Sequence, residues 1–175
     1  GDMPFIEEGA EALLRRGLES GRLALSLDPG AISGADTVII VIGTPVDGHL
    51  NPEFETMRSM MDSYIDRFRD GQLIVLRSTV YPGTTERLHG WFRERGKRVE
   101  FAFCPERIAE GFAIQELETL PQIVSAFSEQ GLERAKALFG LLTDDIVVLP
   151  PLEAELSKLF TNTWRYIKFA VANQF

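Results

Sequence analysis

Two runs in this sequence, TVIIVI from Thr37 to Ile42 and LIVLRST from Leu73 to Thr79, open with unbroken stretches of β-branched and aliphatic residues. A strand with one wet face would alternate apolar with polar residues, so these two have to be covered on both faces. Three further β-rich runs follow, at Val99 to Phe103, Gln122 to Phe127 and Asp145 to Leu149. Helix-like segments lie around Phe54 to Arg69, Thr84 to Arg95, Glu106 to Leu117 and Ser128 to Leu141. Strand alternating with helix predicts an α/β fold, a mostly parallel sheet with flanking helices. Ahead of it, Glu7 to Ser20 reads as an amphipathic helix and Leu23 to Leu27 offers one more strand. No internal repeat or low-complexity linker is visible, and the first plausible domain boundary is Pro150-Pro151, where proline suits the first turn of a helix.

The segment after that boundary carries two stripes. Leu156, Phe160, Trp164, Ile167 and Val171 recur every three to four residues and build one apolar face. Lys158, Asn162 and Arg165 stand at i, i+4 and i+7 and project an ammonium, an amide and a guanidinium from another. No glycine, proline or loop-like run follows, so the helix is expected to be cut at Phe175 rather than capped, and the chain to be a piece of something larger.

Charge narrows the partners. A net charge of -8 argues against general nucleic-acid or anionic-membrane binding, which need a positive field, and a polyanionic substrate would require local cations. The apolar runs are too short to span a membrane and the acidic start is no signal peptide. The single cysteine, Cys104, can form neither an internal disulfide nor a cysteine-rich metal site, in keeping with a reducing, cytoplasmic location. No metal site is expected. His49 and His89 fall in segments that read as exposed, so a histidine base is not expected either.

Three strands end in polar turns that expose backbone: Gly43-Thr44-Pro45, Ser78 through Thr84, and Cys104-Pro105-Glu106-Arg107. Ligands of open parallel sheets bind beyond the carboxyl ends of the strands, so three such turns side by side would line one crevice. Each alone is equally well a simple turn. Glu106 and Glu110, four apart, would share one side of a helix opening after Pro105, although acids in a first helical turn also serve the helix dipole. Neither G-x-G-x-x-G nor G-x-x-x-x-G-K-[ST] occurs, so a dinucleotide-binding fold here would lack its first βαβ unit.

Taken together, Met3-Pro4-Phe5-Ile6-Glu7-Glu8-Gly9, Gly43-Thr44-Pro45, the run from Arg77 to Thr84, Cys104-Pro105-Glu106-Arg107 and Ala154-Glu155-Leu156-Ser157-Lys158 resemble the UDP-glucose/GDP-mannose dehydrogenase family over nearly the whole chain. Arginine at position 107 looks most like the branch that oxidises UDP-N-acetylmannosamine. The resemblance implies oxidation of C6 of a UDP-sugar to the uronate, in two hydride transfers to NAD. It implies that residues 1–150 form part of an NAD-binding Rossmann-like domain and that 151–175 begin a long central helix, through which a homodimer forms.

Position by position, the resemblance assigns Ile42, Gly43, Thr44, Pro45, Val46, Ser78, Thr79, Val80 and Glu110 to the cofactor. Glu106 matches an acid/base glutamate thought to act through water, with Arg107 and Ile108 as substrate contacts beside it. Lys158 matches the lysine that polarises or protonates the C6 oxygen, Asn162 its partner amide, and Arg165 a further substrate contact. Independently of family, hydride leaves C6 only as the hydroxyl proton is lost, which calls for a base and a cation near the developing oxyanion. Lys158 could instead be a surface partner of Glu155. The family's nucleophilic cysteine is expected beyond Phe175; Cys104 reads as a small buried residue, and this chain alone as inactive.

Two other readings stay open. One is an oxidoreductase of the wider hydroxyacid-dehydrogenase superfamily, which shares a Lys-x-x-x-Asn helix. The other is a non-enzymatic α/β module that binds nucleotide or self-associates through the apolar face of the last helix. Without the first strands, a sheet edge and one side of the core should be open.

Overall fold

The computed structural model describes residues 7–43, 54–109 and 111–175, so Met3 to Ile6, Thr44, Pro45, Val46, His49 and Glu110 lie outside the described residues. In chain order the elements are α1 (Ala10–Glu19), α2 (Ala31–Gly34), β1 (Thr37–Ile40), α3 (Phe54–Asp62), a 3-10 turn (Ile65–Arg67), β2 (Leu73–Leu76), α4 (Thr84–Glu94), β3 (Glu100–Phe103), α5 (Ala113–Thr119), β4 (Gln122–Ala126), α6 (Glu129–Phe139), β5 (Ile146–Val148) and α7 (Pro151–Ala172). The strands form one sheet in the order β1-β2-β3-β4-β5. β1, β2 and β3 are parallel, β4 pairs antiparallel to β3 through Ala102↔Ala126 and Phe103↔Ser125, and β5 runs parallel to β4.

The aliphatic runs are explained by what lies on either side. Ile74, Leu76, Phe101 and Phe103 point to the face covered by Met57 and Met61 of α3, Leu88, Trp91 and Phe92 of α4, and Ala154 of α7. Their alternate neighbours Leu73, Val75, Ala102 and Cys104 point to the other face, against Ala135 and Phe139 of α6. Phe92, Phe101 and Phe103 are fully buried, worth about 1.5–3 kcal/mol each by area. β1 is covered less well. Ile39 is 44% exposed, and Val38, Ile40, Ile42, Met61 and Phe68 line an apolar cleft beside it. No strand pairs with the outer edge of β1 among the described residues.

Two expected elements take another form. Leu23 to Leu27 is irregular rather than a strand, with Leu25 and Leu27 exposed and no ladder partner among the described residues. The helix expected from Glu106 starts only at Ala113. Glu106 donates its backbone N–H to the Arg77 carbonyl, and its carboxylate accepts the N–H groups of Arg107 and Ile108, so the local bonds a helix would need are already used. Gly111 then adopts a left-handed φ of 87° before α5 begins. His89 is likewise not exposed: it is half-buried and stacked on Phe127 at 4.5 Å.

α7 begins with proline at its first turn and ends at Ala172, where Asn173 and Gln174 still donate to the Phe169 and Val171 carbonyls. Only Ala154 and Glu155 of this helix are buried. The Glu155 carboxylate accepts the N–H of Gly83 at 2.6 Å, the N–H of Thr85 at 2.8 Å and the Thr85 hydroxyl. It therefore caps α4 from another helix. Glu155→Ala is expected to cost about 1–3 kcal/mol, because it strands buried donors at the start of α4, and Glu155→Gln, which keeps an acceptor oxygen, should cost less. Urea denaturation of the three chains checks this, and equal midpoints for wild type and Glu155→Ala would refute it.

Candidate active site

The carboxyl ends of β1, β2 and β3 lie together, as a parallel trio requires. The first two are tied by a side chain. The Ser78 hydroxyl, just past β2, donates to the Ile42 carbonyl, just past β1. Beyond Ile42, Gly43 is exposed, and a Cβ built there would meet no atom of the described residues within 4 Å, which leaves its backbone accessible from their side. Val80 is 3% exposed and belongs to the core, which leaves only its backbone for contact, while Thr79 is half-exposed on the same turn.

After β3, Glu106 is fixed by both oxygens. One accepts the N–H groups of Arg107 at 2.7 Å and Ile108 at 3.1 Å, and the other forms an ion pair with Arg77. Burial alone would raise the Glu106 carboxyl, but the Arg77 hydrogen bond and charge, helped by the two N–H groups, outweigh it and hold the group below the usual glutamate range. Ile108 is half-buried beside it. Arg107 turns its guanidinium to the Pro121 carbonyl at 3.1 Å, and its Nε is buried without a partner among the described residues.

α7 supplies the opposite wall. Lys158, Asn162 and Arg165 are all half-buried, and Arg165 donates to the Arg107 carbonyl at 3.1 Å. Lys158 makes no hydrogen bond or ion pair among the described residues. Burial draws its ammonium below the usual lysine range; Arg165, Arg107 and Arg77 push the same way and Glu106 opposes them. The alternative pairing of Lys158 with Glu155 is not formed, because the Glu155 carboxylate is committed to the start of α4. Asn162 follows Lys158 by one turn on the same side.

The structure thus brings Glu106, Arg107, Ile108, Lys158 and Arg165 together, with Ile42, Gly43, Ser78 and Thr79 at the neighbouring strand ends. Among the described residues the site holds four cations, Arg77, Arg107, Lys158 and Arg165, around the single carboxylate of Glu106, within a chain of net charge -8. It can attract an anion, and it offers an amine that surrenders its proton more readily than an ordinary lysine. Cys104 cannot serve as a nucleophile there: it is fully buried, and burial pushes its thiol up to about 12.

Three residues at the site escape sequence reasoning. Arg77 is a charge ending a wholly aliphatic strand, which by itself signals a buried partner. Glu155 stands three residues before Lys158 and would look the same on a surface helix. Glu7 accepts the N–H groups of Gly111 at 2.8 Å and Ala113 at 2.7 Å, which ties the N-terminal motif to the loop that follows Arg107. Only its membership in a motif singles it out. No cluster of three or more metal-ligating side chains and no helix long and apolar enough to cross a membrane occurs among the described residues.

Comparison with known proteins identifies the family. The UDP-N-acetyl-D-mannosamine dehydrogenase of Methanococcus aeolicus is 28% identical over 180 residues, a match that takes in 100% of this chain and 40% of that protein. The UDP-D-ManNAc dehydrogenase of Pyrococcus horikoshii superposes with a TM-score of 0.89 at 26% identity, covering 98% of this chain and 42% of the other. A ternary complex of GDP-mannose dehydrogenase from Pseudomonas aeruginosa gives a TM-score of 0.88 at 25% identity, over 98% and 42% of the two chains. The chain therefore spans roughly two-fifths of the length of these relatives. Residues 1–143 match the NAD binding domain of the UDP-glucose/GDP-mannose dehydrogenase family, and the chain belongs to that family.

Proposed function

We propose that this chain is the cofactor-side half of the catalytic site, and part of the substrate side, in an NAD-dependent nucleotide-sugar 6-dehydrogenase. The substrate is UDP-N-acetylmannosamine or a UDP-sugar close to it, oxidised at C6 to the uronate in two hydride transfers. The observation that carries this reading is the convergence of Lys158 and Arg165 on α7 with Glu106 and Arg107 beyond β3. Residues 1–150 are part of the NAD-binding domain, and 151–175 open a central helix. The reducing cytoplasm suits the single buried thiol.

The strand ends fit a dinucleotide. Ser78 holds two of them together, and Gly43 offers backbone with no Cβ in the way. Ile42, Gly43, Ser78, Thr79 and the Val80 backbone would hold NAD, joined by Thr44, Pro45, Val46 and Glu110 from outside the described residues. When bound, NAD supplies the hydride acceptor. The protein's part is proton handling and orientation. Lys158, drawn below the ordinary lysine range, takes the C6 hydroxyl proton as a free amine or holds the C6 oxyanion as an ammonium. Asn162 orients that oxygen. Ionised Glu106 balances the surrounding cations and positions a water, while Arg107, Ile108 and Arg165 place the sugar nucleotide.

The apolar stripe of α7 supports a homodimer. Phe160 is 67% and Trp164 60% exposed, and Ile167 and Val171 continue the same face. A partner helix laid there would cover them.

A chimera tests the chemistry. With residues 1–175 replacing the matching part of the Methanococcus aeolicus enzyme, NADH formation with UDP-N-acetylmannosamine should persist, and Lys158→Ala in the chimera should lower kcat by roughly 10²-fold or more. Preference for a small hydroxyacid would instead favour the wider superfamily. The chain alone is expected to form no NADH. Sedimentation tests the dimer: wild type should associate with rising concentration, Trp164→Glu should shift it toward monomer, and a wild type that stays monomeric throughout would count against the helix interface.

A further inference from the structure

Arg77 directly follows β2 and is bonded to the ends of both β1 and β3, so it joins all three strand ends that frame the site. Its backbone N–H donates to the Ile40 carbonyl of β1 at 3.0 Å, and its own carbonyl accepts the N–H of Glu106 at 3.2 Å. Its guanidinium donates to the Cys104 carbonyl at the end of β3 and pairs with the Glu106 carboxylate. The same guanidinium lies over the Phe139 ring of α6, 4.7 Å from its centre. The Arg77 side chain is 8% exposed and that of Glu106 32%, so the arginine lies beneath and the carboxylate faces outward.

We propose that Arg77 is the positioning residue for Glu106: it touches neither sugar nor cofactor, but fixes where that carboxylate stands and that it stands there as an anion. The proposal rests on the reading of Glu106 as part of a nucleotide-sugar site. A carboxylate on an irregular segment would otherwise be free to rotate. Here a guanidinium fork, stacked on one side and bonded to Cys104, leaves one place for the outer oxygen while the Arg107 and Ile108 N–H groups hold the inner one. Because Arg77 directly precedes Ser78, its backbone bond to Glu106 ties the cofactor turn to that segment, and its side chain fixes where the carboxylate points.

The other charge facing Glu106 is Lys158 of α7, which Arg165 and Arg107 face in turn. The test therefore varies only Arg77. Side-chain carboxyl NMR of the 175-residue chain should show Glu106 titrating below the ordinary glutamate range. Arg77→Gln should move the midpoint up toward that range, and Arg77→Lys, which keeps the charge but not the fork, should recover part of the shift. An unchanged midpoint in a folded Arg77→Gln chain overturns the proposal, as does full recovery of the shift by Arg77→Lys, which would leave nothing to the fork. Should Arg77→Gln not fold, wild type suffices: the Arg77 guanidinium nitrogen shifts must move with the Glu106 midpoint, and shifts that ignore it overturn the proposal. NADH formation by the chimera described above, with and without Arg77→Gln, is measured in parallel. A chimera that forms no NADH while the Arg77 effect on Glu106 is intact would remove the functional reading and leave the positioning role standing, whereas an active chimera with no Arg77 effect would remove the positioning role alone.

Discussion

A buried carboxylate from one helix capping another fixes how the two walls of this site face each other. Glu155 reaches from α7 to the Gly83 and Thr85 amides, and those amides belong to the turn that continues from Ser78. The bonds are local in space but join residues about seventy apart in sequence. Without them α7 would be held by Ala154 and a few partly buried side chains, since the rest of its length is exposed. Lys158 lies one turn further along, so any slip of the helix that moved the lysine would also break the cap. Position and stability are coupled at a single residue.

The reversal of direction at β4 is what lets α7 reach the strand ends at all. Had β4 and β5 run parallel to β3, the chain would leave β5 at the same end as Glu106, and the next helix would lead away from it. Since they run the other way, α7 starts near the opposite end and crosses back over the sheet. From Pro151 to Lys158 the helix climbs about 10 Å, which matches some three residues of strand.

Much of this was legible in the sequence, for physical reasons that differ from element to element. β2 could be read because an aliphatic run buried on both faces has no polar alternation to blur it, and the other strands because their β-rich runs alternate with helix-like segments. The polar face of α7 could be read because helical spacing is fixed by geometry. The segment from Glu106 to Ala109 could not. Its composition suits a helix, but a tertiary contact with Arg77 and a side chain that captures its own neighbours' N–H groups win over propensity. Leu23 to Leu27 failed differently: its residues favour a strand, and a strand needs a neighbour. The partners of Arg77 and Glu155 could not be read, because they lie some thirty and seventy positions distant: a charge ending an aliphatic strand signals that a partner exists but not which one, and Glu155 carries no local signal at all.

The island of cations around Glu106 has a kinetic corollary. A chain of net charge -8 repels an anionic ligand at a distance, and the attraction of Lys158, Arg107 and Arg165 is felt only within about one screening length, roughly 8 Å at physiological ionic strength. Moderate salt then weakens the long-range repulsion more than the close attraction, so small anions reach this site faster as salt rises, against the usual trend for anion-binding proteins. A long polyanion meets that repulsion over more of its length, so its approach depends on added salt even more steeply than a small anion's.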